Sequence, residues 1–253
     1  MHDAHNHLHL LESRSSGTPD LPPEGQRWMV AGLHPDDWQA LVRFHQRSPN
    51  TITPAFGIHP WRAQFLPEDW SYTLRKILES HPTAAVGECG LDRLRCPLAP
   101  AQQTRLLETH LRLAHDLGRG VVLHVVRAWD LATPILDADA GQRPVLLHSF
   151  SPRGLNGQPW KRWNAWFSFR ASRLTHADPA LVELITGLPT DRLLIESDAH
   201  PDNHSIGGAQ AQVNRCLSDS VRAIAAILQK DPAEIESRTD ANFALWCAAC
   251  REA

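Results

Sequence analysis

Six short apolar runs in this chain end in a histidine or a carboxylate. They deliver His5 and His7, His59, Glu88, His124, His148 and Asp198. Imidazole nitrogens and carboxylate oxygens in one pocket are the donor set of a catalytic metal site, suited to Zn, Mn, Fe or Co and less comfortably to Mg. His5 and His7 are two residues apart, so in a strand both imidazoles face one side. Asp3 shares that parity and is expected to orient an imidazole from behind. Glu88 lies between small residues in Val86-Gly87-Glu88-Cys89-Gly90, which lets backbones approach closely. Its two oxygens can bridge two cations, or simply pair with Arg93 or Arg95. His124 and His148 each follow an apolar triplet. One such histidine reads as a core residue, but two at corresponding strand ends read as ligands. Asp198 and Glu196 share a face by period two, and burying that acid pair requires a metal or an arginine. His59, before Pro60, is either a turn residue or a group that touches substrate.

Side chains so far apart in sequence meet only if strands carry them to one edge. Eight strand candidates stand at 2–8, 27–32, 51–57, 84–88, 120–124, 144–148, 165–169 and 192–197. They are short and almost continuously apolar, as in strands buried on both faces. Helical patterns fall at 35–47, 67–80, 100–117 and 177–187, with Pro67 and Pro179 at starts and Gly118 and Gly187 at stops. A helical tail follows, with 212–229 as one amphipathic run and Asp231-Pro232 opening a second helix. Alternation of this kind gives parallel strands with crossover helices. The expected fold is α/β, a single-domain (β/α)₈ TIM barrel over 1–253, slightly distorted or with seven strands as the near alternative. All strand ends of such a barrel open on one face. Segments 11–26, 151–163 and 199–208 read as loops on that face.

The chain has 253 residues, a formal net charge of −3 and 42% hydrophobic residues. That excludes global disorder and a broad electrostatic grip on nucleic acid. It leaves a phosphate substrate open, because bound cations would add local positive charge. The five cysteines, Cys89, Cys96, Cys216, Cys247 and Cys250, form no disulfide framework and are read as reduced thiols, with the CAAC of Cys247 and Cys250 as helix packing. The nine tryptophans are packing groups or, more sharply, a wall for a stacked base or sugar. Without a long apolar run or a leader pattern, the expected location is cytoplasmic, with no membrane association and no obligate protein partner.

The motifs Asp3-Ala4-His5-Asn6-His7, Gly57-Ile58-His59-Pro60, Gly87-Glu88-Cys89-Gly90-Leu91-Asp92, the His124 strand end, His148-Ser149-Phe150 and Glu196-Ser197-Asp198 together resemble the TatD family of metal-dependent hydrolases, the TatD-type deoxyribonucleases. The likeness extends over essentially the whole chain. It implies a TIM barrel with two divalent ions (Mg, Mn, Zn or Co): His5, His7 and Asp198 on one, His124 and His148 on the other, Glu88 bridging. The chain departs from the family where Val125-Val126 precede Arg127 and where His200 separates Ala199 from Pro201. The expected activity is hydrolysis of phosphoester bonds, as a DNA exonuclease, by a metal-activated water. Asp198 and Glu88 are the catalytic residues, with Asp198 taking the water's proton. His59 and Arg127 are the substrate contacts, with Arg62, Arg93 and Arg153 as weaker ones. The substrate is nucleic acid or a small phosphoester. Two rival readings stand beside this: hydrolysis of an amide, ester or lactone on the same barrel, and a binding protein on an inactive barrel.

Overall fold

The computed structural model describes residues 1–14, 19–139, 143–200 and 208–252. Eight parallel strands lie in chain order around one sheet: β1 Asp3–Asn6, β2 Trp28–Ala31, β3 Ile52–Phe56, β4 Ala85–Asp92, β5 Val121–Val126, β6 Pro144–Leu147, β7 Asn164–Phe169 and β8 Leu193–Ile195. Helices between and after them are α1 Leu11–Arg14, α2 Pro35–Arg47, α3 Trp70–Ser80, α4 Pro100–Leu117, α5 Trp129–Ala138, α6 Ala171–Leu174, α7 Pro179–Gly187, α8 Ala209–Leu228 and α9 Pro232–Glu252. All eight expected strands form, and they make the expected TIM barrel.

Two local devices set the helix ends that the sequence marks best. Asp178 accepts from the Leu181 amide at 2.9 Å at the start of α7. Gly118 ends α4 in the left-handed region at φ 62, which a glycine enters without a Cβ clash. The third helix begins later than the Pro67 signal: Pro67 makes a turn by accepting from the Trp70 amide, and α3 starts at Trp70. Segment 11–26 is not all loop, since α1 opens it; residues 15–18 lie outside the described residues, as do 201–207 of the 199–208 segment. The helix α5 has no clean sequence signal, because Pro134 sits inside it.

The strands present alternate residues to two cores. Val30, Val86, Val121, Leu123 and Leu147 pack outward under the helices. Ala4, Met29, Ala31, Ala55, Ala85, Val122, Leu146 and Leu194 fill the barrel interior and meet Phe243, Trp246, Cys247 and Cys250 of α9. The last helix therefore plugs the end of the barrel away from the strand C-termini. Asn242 holds it there by donating to the carbonyls of Leu193 and Thr190 at 2.8 and 2.9 Å. Gly120 leaves room for Cys250: a Cβ at 120 would lie 2.4 Å from its sulfur. The CAAC pair is thus a packing element, and all five cysteines are free thiols.

Two register shifts re-aim side chains at the other end. In β1, Asp3 pairs with Trp28 but Asn6 with Val30; in β4, Val86 pairs with Val121 but Cys89 with Leu123. Each time three residues oppose two, the signature of a bulge. Ala4 and Ala85 face inward, and the bulges turn His5 and Glu88 inward as well, one residue out of phase. The same shift places Asp3 on the outer side. It does not orient an imidazole, as its parity with His5 suggested. It accepts from the Ser197 hydroxyl at 2.5 Å, the Ser197 amide at 2.9 Å and the His5 amide at 3.2 Å. Together with Asp198 N–H donating to the His5 carbonyl at 2.9 Å and His7 N–H to the Ala199 carbonyl at 2.8 Å, it joins the first strand to the last.

Trp246 is fully buried in the plug, with its indole N–H on the Met29 sulfur at 3.5 Å. Trp246→Ala is expected to destabilise the barrel by about 3–5 kcal/mol, the cost of a large buried cavity. A lowered urea midpoint with unchanged far-ultraviolet dichroism in the absence of urea checks it.

Candidate metal centre

Glu88 is the hub of the open end. It is buried, and five imidazoles converge on its two oxygens. His5 Nε2 and His7 Nε2 lie 2.9 and 3.3 Å from Oε2; His124 Nδ1, His59 Nε2 and His148 Nε2 lie 2.9, 3.2 and 3.2 Å from Oε1. The backbone can come this close because the neighbouring glycines lack side chains. A Cβ on Gly90 would sit 1.9 Å from the His124 carbonyl oxygen, and one on Gly87 2.5 Å from that of Val122. Asp198 completes the group, its Oδ1 3.8 Å from His7 Nε2. Every residue expected to hold metal is thus in one cluster, and so is His59.

The outer nitrogens show how each ring is held. His7 donates from Nδ1 to the Ala31 carbonyl at 2.7 Å. His148 Nδ1 faces Glu196 at 3.3 Å, and Ser168 donates to the same carboxylate oxygen at 2.5 Å. His124 Nε2 faces Asp92 at 3.1 Å. In these three rings the far nitrogen donates, and although burial opposes it the neighbouring carboxylates raise all three above an ordinary histidine, so the inner nitrogen shares a proton with Glu88 that a metal would have to displace. His59 is wired the opposite way. Its Nδ1 accepts from the Trp61 amide at 3.1 Å, so Nε2 bears the proton and donates.

The electrostatics follow from this crowding. Burial pushes the Glu88 carboxyl up, but His59, His148, His5 and His124 outweigh it and hold it well below the usual carboxylate range. Burial pushes His148 down, yet Glu196 and Glu88 raise it well above an ordinary histidine. Burial brings His59 down to about 4, so it is neutral at pH 7. Burial opposes the charge on Asp198, but His148 and Arg170 win and keep it ionised. His5 Nε2 and His7 Nε2 are only 3.1 Å apart, and His5 Nδ1 has no hydrogen-bond partner among the described residues. Two facing nitrogens at that separation need a proton or a cation between them. Three sets of ligand atoms already lie close enough to grip one ion: His5, Glu88 and His148; His5, His7 and Asp198; His59, Glu88 and His124. The donor set fits divalent cations.

The cluster forms the floor of a cavity of about 830 Å³ whose wall includes Trp61, Arg43, Arg62, Arg95, Arg170 and His200. Arg170, at the end of β7, is the partner of Asp198. Neither it nor Asp92 was a residue that the sequence singled out for a role. The signals were a cation directly after an apolar strand and a carboxylate four residues beyond Glu88. Trp61 is 43% exposed, with its indole N–H on Asp92 at 2.6 Å and the Arg95 guanidinium 4.6 Å from its ring centre. Arg127 is exposed and opens on a neighbouring cavity, as does Arg153. Arg93 pairs with Asp130 at 2.5 Å. Of the five cationic or imidazole contacts expected for substrate, only His59 and Arg62 line the cavity above Glu88.

The sequence model described as TatD related DNase matches residues 2–247. A protein of Mycobacterium tuberculosis named as an uncharacterized metal-dependent hydrolase TatD is 27% identical, with 96% of each chain covered. A 3'-5' ssDNA/RNA exonuclease TatD of Cronobacter sakazakii is 30% identical over 93% of this chain and 89% of its own. Among solved structures, a TatD homologue from Escherichia coli superposes with a TM-score of 0.70 at 20% identity, covering 95% of both chains.

The raised His148 gives a direct test of metal binding. A metal needs its lone pair, so uptake must expel the proton that Glu88 and Glu196 hold there. Affinity for Zn²⁺ or Mn²⁺ is expected to rise with pH up to the raised His148 value. Protons should therefore be released on binding at neutral pH, from His148 and from the raised His7 and His124. Calorimetric titrations in buffers of different ionisation enthalpy measure it, and identical heats in all buffers would contradict it.

Proposed function

The chain belongs to the TatD related DNase family, and from that premise we propose that it removes nucleotides from single-stranded nucleic acid by metal-dependent phosphodiester hydrolysis. The observation that carries this reading is the pairing of a buried imidazole–carboxylate cluster with a guanidinium rim on one cavity. Relatives named as 3'-5' ssDNA/RNA exonucleases support the choice of substrate.

His5, His7 and Asp198 would hold one divalent ion and His124 and His148 a second, with Glu88 between them. When bound, such ions supply Lewis-acid stabilisation of the phosphate charge and lower the pKa of water. The rest falls to side chains. Asp198 stays unprotonated at neutral pH and is positioned by Arg170, so it can take the proton of the attacking water. The His59 Nε2–H can turn from Glu88 to a phosphate oxygen. Arg62 and Arg95 add charge where the strand enters, and the exposed face of Trp61 suits a terminal base. The water oxygen bonds to phosphorus, and the bond to the leaving sugar oxygen breaks. Residues 1–253 act as one domain in this reading. Among the described residues no helix is long and apolar enough to cross a membrane, and a cytoplasmic site of action suits free thiols.

A substrate panel decides between phosphorus and carbon chemistry. Purified protein should shorten single-stranded DNA or RNA stepwise with Mg²⁺, Mn²⁺, Co²⁺ or Zn²⁺ and leave neutral esters and lactones nearly untouched. Faster turnover of an ester or lactone than of any strand would overturn the reading. Asp198→Asn is expected to lower kcat by about 10²-fold or more, the scale of lost general-base help, with the fold intact by circular dichroism. A change confined to KM would remove Asp198 from the chemistry.

A further inference from the structure

A second cavity of about 650 Å³ adjoins the first on the same face of the barrel. The two meet where neighbours in sequence part: Leu94 lines one and Arg95 the other, and Arg173 and Arg170 divide in the same way, one helical turn apart. Three guanidiniums, Arg127, Arg153 and Arg173, open on the second cavity. Two acids face them. Asp178 lies 3.9 Å from Arg153, and Glu183 lines the α7 side. Arg127 and Arg173 have no carboxylate at ion-pair distance among the described residues. The lining is mixed: Val125, Leu155, Leu181 and Leu184 stand beside Gln158, Ser172 and His176, over the buried pair Trp129 and Phe150, packed edge to face at 5.6 Å.

Guanidiniums beside aliphatic side chains, in a hollow of ligand size, are surroundings that suit a nucleotide. The phosphate meets guanidinium and the base meets apolar surface. The chain's overall charge is negative, so this excess of guanidiniums over carboxylates beside the cluster is local. We propose that the second cavity is a distinct subsite for a phosphodiester group and base of the same strand, beyond the nucleotide held over Glu88. This rests on the nuclease reading. It makes the protein selective for polymers over single nucleotides, through a site that touches no metal ligand.

The test uses the full-length protein and Arg173, which is exposed. Binding of a fluorescent single strand of about ten nucleotides is followed by anisotropy in EDTA, so cleavage plays no part. Arg173→Glu should weaken binding by about tenfold or more, the scale of a charge-assisted contact. Arg173→Ala should flatten the dependence of log K on log salt by about 0.7, and Arg173→Lys should restore most of the affinity. Arg105→Glu, an exposed charge reversal on α4, should do little. With metal present, kcat/KM on the strand should fall in step, while thymidine 5′-monophosphate p-nitrophenyl ester, a single phosphodiester, should be hydrolysed as before. Unchanged strand binding in Arg173→Glu, an equal loss in Arg105→Glu, or equal losses on both substrates would overturn the proposal. If the wild type hydrolyses neither substrate, the nuclease reading falls, and anisotropy alone still decides the cavity: a loss in Arg173→Glu supports it and no loss refutes it. If Arg173→Glu does not fold, the salt slope of Arg173→Ala decides.

Discussion

A negative carboxylate buried under a barrel mouth must be neutralised, and Glu88 meets that demand with five imidazoles within 3.3 Å. Isolated, such a charge would be prohibitively costly. Surrounded, it becomes the point to which four other strand ends, those of β1, β3, β5 and β6, must deliver imidazoles in register. The constraint spreads outward. Glycines at 87 and 90 exist because the backbone must come within contact of β5. Asp92, Glu196 and the Ala31 carbonyl exist behind the rings to fix which nitrogen faces in. Arg170 then balances the remaining acid, Asp198.

The same geometry divides labour among histidines that look alike in sequence. His7, His124 and His148 each have a donor commitment on the far side of the ring, so the nitrogen toward Glu88 is the one a cation would take once its proton leaves. His59 accepts a backbone N–H on its far side and offers a proton. Its outer nitrogen is occupied by the Trp61 amide, so its Nε2–H faces inward as a neutral donor that can touch an anion. A ring's chemical role here is decided by its second hydrogen bond and not by its distance to Glu88.

The barrel and the membership of the cluster were legible because they depend on period and on strand ends. Apolar runs stopping at His or Asp identify strand C-termini without tertiary knowledge. What the pattern missed depends on phase or on direction. Strict alternation puts Asp3 beside His5, but a bulge intervenes between them, and a bulge has no residue signature of its own. Arg127 follows its strand as expected, yet its backbone turns at φ 50 and the side chain leaves for the next cavity. Arg170 follows β7, whose end carries no histidine or carboxylate, so nothing drew notice to it. The helix α5 is masked by its internal proline.

The seam between β1 and β8 has one further consequence. The first and last contributors to the cluster, His5 and His7 on one side and Asp198 on the other, are joined by a few backbone bonds and by Asp3 gripping Ser197. During synthesis the early histidines emerge long before the strand that completes their surroundings. A nascent or truncated chain therefore carries the parts of a nuclease but no assembled centre, and the ability to cut arises only when the circle of strands is finished. Closure of the fold and the onset of reactivity are the same event.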